Sequence, residues 1–216
     1  FSSIRRHTRF EPKSRGLGDV YKRQGSDSMQ FSDNPNMTVE VRAMLFADVV
    51  GYSQLDEEEI PLFVRDFMGS ISECVAESGI EIETFNTWGD AIYFVFRNVR
   101  DAGLTALGIT RHVNSIDWKA RGFRSAMTLR TGLHVGPVYR VVDPVTKANT
   151  HTGAHVSRAA RIEPIAPPGE VYASEAFAAV AAVDQVSEFS CDYVGVTPMA
   201  KGYGEFATYH VHGGND

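Results

Sequence analysis

The chain has 216 residues, 43% of them hydrophobic and 22% charged, with a net charge of −6 at pH 7. That length and apolar content suffice for one sizeable core, and the negative balance excludes a general binder of nucleic-acid backbone, which needs bulk positive potential. Cys74 and Cys191 stand far apart with no Cys or His at ligand spacing, which excludes a disulfide framework or zinc motif, and no apolar run reaches the roughly 18 residues of a membrane span.

Residues 1–37 are rich in Arg, Ser, Gly, Asp and Asn, show no hydrophobic period and are expected to carry no packed structure. The stretch from Ser14 to Gln24 resembles translated sequencing-adapter read-through, which would put the native start at Met29 or Met37. One domain is expected over residues 38–212, and the lack of an apolar signal segment predicts a cytoplasmic protein.

From Val39, apolar residues alternate with Glu40, Arg42 and Met44 and then run unbroken but for Asp48 through Val50, the pattern of a central strand that turns at Gly51. Asp56 with Glu59 forms a capping-box signal, Pro61 suits a first turn, and Phe63, Phe67, Ile71 and Val75 follow at helical spacing as far as Gly79. Residues 80–88 and 91–96 then read as a hairpin whose tip is Gly89-Asp90. A second helix is expected over 99–116, with Ala102, Ala106, Ile109 and Val113 facing the sheet, and a strand from Ala126 to Tyr139 or beyond. This β-α-β-β-α-β order predicts an α+β domain with a ferredoxin-like βαββαβ core. A helix over 153–165, a strand near 171–173, a small Ala-rich helix near 175–183 and strands near 189–194 and 206–211 complete it.

Two carboxylates stand out. Asp48 interrupts an apolar strand and Asp90 caps a hairpin that can neighbour it, so both can face one cation, and hard oxygen ligands suit Mg²⁺ or Mn²⁺. Taken singly, each reads better as a turn or capping residue. His134 reads as a core or interface histidine, Asp143 as a turn residue, and His151, His155, His210 and His212 lack Cys or acidic partners at metal-ligand spacing.

The blocks Phe46-Ala47-Asp48-Val49-Val50-Gly51-Tyr52-Ser53, Thr87-Trp88-Gly89-Asp90-Ala91 and Leu129 to Val138 resemble, in order and spacing, those of the class III adenylate and guanylate cyclases. Blocks at 153–162, 168–174 and 201–206 extend the resemblance over about 39–211. It implies a homodimer with active sites between protomers, acting on a nucleoside triphosphate with two divalent ions, Mn²⁺ or Mg²⁺. Asp48, Asp90 and the Val49 carbonyl would hold the ions, and the amides of Val50, Gly51, Tyr52 and Ser53, at the turn into the first helix, would take phosphate oxygens. Arg161 would stabilise the transition state, Ser157 stands where the family has its catalytic Asn, and Phe46 lies beside the nucleotide.

The departures concern the base. Asn86 replaces the Lys of adenylate cyclases or the Glu of guanylate cyclases, Thr150 falls at a second base-reading position, Trp88 adds bulk, and of the phosphate loop only Lys201 is kept, Tyr203 replacing its second Lys. Asn can meet a keto or an amino edge. This variation resembles the bacterial pyrimidine cyclases of the Pycsar antiphage system, which implies conversion of UTP to cyclic UMP and pyrophosphate and a separate effector protein that senses the product. Cyclisation of ATP is the alternative, and an inactive cyclase-like domain for nucleotide binding or dimerisation is the alternative of another class.

Overall fold

The structure is a computed structural model that describes residues 37–199, 202 and 204–214. Residues 1–36 and Lys201, for which expectations were stated, lie outside the described residues.

Strand β1 (Thr38–Val50) is the spine of an eight-stranded sheet. It pairs antiparallel with β3 (Ala91–Phe96) on one side and with β4 (Thr128–Val142) on the other, and β2 (Thr84–Trp88) forms the hairpin with β3. The order β2-β3-β1-β4, all antiparallel, is the expected ferredoxin-like core. The sheet continues through β6 (Val171–Ser174), parallel to β4, then β8 (Glu205–Gly213) and β7 (Phe189–Pro198).

Alternation along β1 divides the two faces. Ala43, Leu45, Ala47 and Val49 point into the main core with Phe94, Leu129 and Leu133. Helix α1, which runs through Ile60–Leu62, Phe63–Met68 and Gly69–Ser78, and helix α2 (Val99–Ser115) cover that face. The middle segment of α1 is π-helical, and its wider turn keeps Phe63 and Phe67, whose rings stack at 5.2 Å, buried together. Asn98 caps α2, its side-chain oxygen accepting from the Asp101 amide at 2.8 Å. Ala102, Ala106, Ile109 and Val113 are all buried, as the helical spacing requires. Helix α4 (Glu175–Val183) adds Phe177 and Ala181 to the same core.

The opposite face carries Met44, Phe46, Tyr93, Val95 and Val138, and helix α3 (Ala154–Ile162) lays Ala159 on this second cluster before a 3-10 turn, Glu163–Ile165. Close approach is permitted by Gly132 and Gly136 on β4. A Cβ on Gly132 would lie 2.5 Å from the Glu163 amide nitrogen, and one on Gly136 2.1 Å from His155 Nδ1.

Two local expectations change. The Asp56 amide does donate to Glu59 Oε2 at 2.9 Å, but residues 57–59 form a turn and the helix begins at Ile60. The chain leaving β1 therefore enters a 3-10 turn, Tyr52–Gln54, and not the first helix directly. A short strand, β5 (Asn149–Thr152), pairs with the far end of β4 and has no counterpart in the sequence reading. Among the described residues, no helix is long and apolar enough to cross a membrane.

Candidate active site

Cross-strand register sets the residues of the second face in rows. One row is Trp88, Ala91, Asp48 and Arg130, and the next is Asn86, Tyr93, Phe46 and Gly132. Asp90, beside Ala91 in the β2–β3 turn, thus reaches the end of β1 where Asp48 projects. The two carboxyls are close enough to share a hydrogen bond, and burial, aided by the charge of Asp48, pushes the Asp90 carboxyl above the usual carboxylate range. Two such groups side by side are a site in want of positive charge.

The sequence reading missed what supplies that charge inside the chain. Arg130 Nη2 donates to Asp48 Oδ2 at 2.8 Å, and Arg130 Nε lies 3.1 Å from Glu163 Oε1. The second contact is close but not aligned as a hydrogen bond, so neither Arg130 Nε nor Glu163 Oε1 is satisfied. Burial therefore prevails at Glu163: its pKa is pushed up to about 7, against the pull of Arg130 and with a further push from Asp48 and Asp90. A signal existed in both cases, a charged residue within an apolar strand and an acid two positions after Arg161.

This geometry makes a stability prediction. A carboxyl whose pKa is raised in the folded state contributes stability that is complete below the unfolded value of about 4.5 and is lost as pH rises through about 7. Glu163→Gln is expected to flatten the dependence of unfolding free energy on pH across that window. The difference between pH 5 and pH 8 should shrink by on the order of 3 kcal/mol, measured by urea titration at each pH. An unchanged slope would refute the burial argument.

The other expected residues fall in two groups. Phe46 stacks on Tyr93 at 4.6 Å, and Trp88 stacks on the other side of Tyr93 at 6.1 Å while remaining 58% exposed. Among the described residues, no hydrogen bond engages the Asn86 amide, which is half-buried in the Tyr93 row. The side chain of Val49 is in the main core, so only its backbone is offered to the site. Val50 ends β1, and Gly51 has φ 88°, a left-handed value that suits glycine. The turn closes through Gln54 and Leu55 amides, outside which those of Tyr52 and Ser53 remain.

On α3, Ser157 is exposed and Arg161, one turn on, shares its side of the helix. Arg161 Nε is buried without a hydrogen-bond partner among the described residues. Thr150 lies on β5 opposite Val141. Its neighbour His151 accepts a hydrogen bond at its carbonyl from the Tyr93 hydroxyl, 3.2 Å, which ties β5 to the aromatic row.

The histidines divide. His134 is buried, 2.7 Å from Ser174 Oγ and 2.9 Å from His155 Nδ1, and burial holds it neutral with a pKa of about 3, as a core histidine. His151 has no acidic residue at ligand spacing in the sequence, yet it gains acidic neighbours in the fold. Folding brings it beside Glu40 and Glu83, and the three offer donor atoms within 4.8 Å of one another, a group able to hold a divalent ion. Partners 68 to 111 positions away leave no mark in local spacing.

With this geometry in place, comparison with known proteins is direct. Residues 35–213 match the family described as the adenylate and guanylate cyclase catalytic domain. No curated protein sequence matches the chain. The fold is similar to that of the adenylyl cyclase CyaB from P. aeruginosa, with TM-score 0.70 and 16% identity over 83% of this chain and 97% of that one. It is also similar to the guanylate cyclase domain of RhGC from Catenaria anguillulae in complex with GTP, with TM-score 0.68 and 18% identity over 82% and 100%. A dimeric guanylyl cyclase domain of the RhoGC fusion protein from Blastocladiella emersonii gives TM-score 0.66 and 20% identity over 82% and 98%. The match over nearly the whole folded region makes this chain a member of the adenylate and guanylate cyclase catalytic domain family, a nucleotidyl cyclase domain.

Proposed function

We propose that the chain converts UTP to 3′,5′-cyclic UMP and pyrophosphate, as a homodimer with active sites between protomers, and that the product signals to a separate effector in antiphage defence. The observation that carries the cyclase chemistry is the juxtaposition of Asp48 and Asp90, whose mutual repulsion fits a cation-binding role. Asp48, Asp90 and the Val49 carbonyl would hold two divalent ions, Mn²⁺ or Mg²⁺. When bound, such ions activate the ribose 3′-hydroxyl and neutralise the leaving pyrophosphate.

The chain's own residues do the rest. The 3′-oxygen attacks the α-phosphorus as its proton passes to solvent water, the 3′-O–P bond forms, and the bond from the α-phosphorus to the bridging β-phosphate oxygen breaks to release pyrophosphate. With ions bound, Asp48 would give up its contact with Arg130, and Glu163, 3.1 Å from Arg130 Nε, would remain as the acidic neighbour of that guanidinium. Arg161 of the other protomer neutralises charge at the α-phosphate, for which its planar, permanently charged fork is suited, with Ser157 beside it. Its unsatisfied Nε supports a partner beyond the lone chain. The amides from Val50 to Ser53 and Lys201 take the outer phosphates. Phe46 packs beside the nucleotide, and the exposed face of Trp88 offers a stacking surface.

The choice of base rests on Asn86. Its side-chain amide has no hydrogen-bond partner among the described residues and can donate and accept, which suits the adjacent N–H and carbonyl of uracil. Thr150 is the feature that favours ATP. Product formed from UTP, CTP, ATP and GTP with Mn²⁺ decides: cyclic UMP should exceed each other product by at least about tenfold, a margin of about 1.4 kcal/mol at the transition state. ATP cyclised faster than either pyrimidine nucleotide would overturn the substrate assignment. Equal, negligible turnover of wild type and Asp90→Ala with every nucleotide would establish a binding domain instead.

A further inference from the structure

We propose that Glu40, Glu83 and His151 form a second divalent-cation site, selective for Zn²⁺ over Mg²⁺, which ties β5 to β1 and to the residue before β2 at the far end of the substrate-facing side of the sheet. Glu40 stands eight residues before Asp48 on the same face of β1. At about 3.3 Å per residue the two lie about 26 Å apart, so this site is separate from the catalytic carboxylates.

The histidine makes the cluster more than an acidic patch. His151 has a side chain 2% exposed, and its Nε2 has no hydrogen-bond partner among the described residues. That nitrogen points at both acids, 3.9 Å from Glu40 Oε2 and 3.8 Å from Glu83 Oε2. Its other nitrogen, Nδ1, is 2.7 Å from Thr84 Oγ1, itself buried, so the ring orientation is fixed. With the Nδ1 proton given to Thr84, the Nε2 lone pair faces the carboxylates, the arrangement by which an outer hydrogen bond orients a metal-binding imidazole. Burial also keeps this imidazole neutral, although both acids pull the other way.

Zinc bonds of roughly 2.0–2.2 Å at tetrahedral angles separate donor atoms by about 3.4 Å, and His151 Nε2 already lies 3.9 Å and 3.8 Å from the two carboxylate oxygens, with all three donors within 4.8 Å of one another. An imidazole nitrogen with two carboxylate oxygens suits Zn²⁺ and leaves a fourth position for water, whereas Mg²⁺ prefers oxygen alone. Arg42 is the built-in competitor. Its Nε is 2.5 Å from Glu83 Oε2 and its Nη2 2.5 Å from Glu40 Oε2, while Arg97 approaches Glu83 at 3.6 Å. The guanidinium hydrogen-bonds Glu83 but leaves both Glu40 Oε2 and His151 Nε2 without a hydrogen-bond partner among the described residues. A zinc ion satisfies all three.

The test uses the full chain carrying Asp48→Asn and Asp90→Asn, so that the catalytic carboxylates do not bind the probe. Titration with ZnCl₂ by calorimetry, and with CoCl₂ followed by visible absorption, should show one ion per chain, unmoved by excess Mg²⁺. Adding Glu83→Gln or His151→Gln should weaken binding by at least about tenfold, and Arg42→Gln should tighten it. Glu40→Gln, at a more open position, provides the same reading should the His151 variant fail to fold, as judged by circular dichroism. Zinc binding that none of the Glu40, Glu83 and His151 substitutions weakens, or no binding at all, would overturn the proposal.

Discussion

Asp90→Ala is expected to lower nucleotide cyclisation by about 10³-fold or more while leaving the thermal midpoint at or slightly above that of the wild type. The asymmetry follows from the site. Asp90 sits in a two-strand turn, half-buried and pressed against the like charge of Asp48, so the folded protein gains nothing from its ionisation. Catalysis loses a charge that the other residues cannot replace, since Arg130 and Arg161 are both positive. Single-turnover measurement with saturating Mn²⁺ and a melting curve on the same sample separate the two effects. Asp48→Asn should match the loss of activity but also cost some stability, because Asp48 is hydrogen-bonded to Arg130 and Asp90 is not. Activity of the Asp90 variant within tenfold of the wild type would remove this residue from the metal site.

Gly132→Ala should be the most damaging single-methyl change on the sheet. The added Cβ would lie 2.5 Å from the Glu163 nitrogen, 3.0 Å from Glu163 Cα and 3.0 Å from the Ile162 carbonyl carbon, all of them backbone atoms that cannot rotate aside. The C-terminal end of α3 must lift, and with it Arg161 and Glu163. A destabilisation of about 3 kcal/mol is expected from overpacking, and, on the proposed role of Arg161, a loss of about 10²-fold in kcat/KM from displacing it by roughly 1 Å. Gly136→Ala is the comparison: the atoms nearest its Cβ belong to the His155 side chain, which, unlike backbone, can turn aside at the cost of its hydrogen bond to His134. Urea unfolding and steady-state kinetics on both variants check the order. Equal damage from the two would show that the approach of α3 is not set by Gly132.

The contrast between these glycines also shows what was legible beforehand. The βαββαβ order followed from the alternating and then unbroken apolar run of β1, the apolar run of β3 after a Gly-Asp turn, and helical spacing in α1 and α2, because each signal is local. Strand β5 was not legible: Asn149, Thr150, His151 and Thr152 offer no apolar period, and the strand exists because Tyr93 and Thr84 hold His151 from above. The pair Arg130 with Glu163 and the trio Glu40, Glu83 and His151 were missed for a related reason. Arg130 meets Glu163 because the turn after α3 packs on β4 at Gly132, and the trio meets through the pairing of β1, β4 and β5 with the residue before β2; both are properties of the whole fold. Asp48 and Asp90 were readable because one interrupts an apolar run and the other sits at a hairpin tip adjoining it. The base remains the least legible feature, since Asn86 offers both a donor and an acceptor, and nucleotide pose decides which is used.

The guanidinium that Arg130 places against Asp48 supplies, from within the chain, positive charge where the proposed ions would sit. Folding therefore need not wait for metal, and an ion bound to the native state would add stability by mass action on top of what Arg130 already provides.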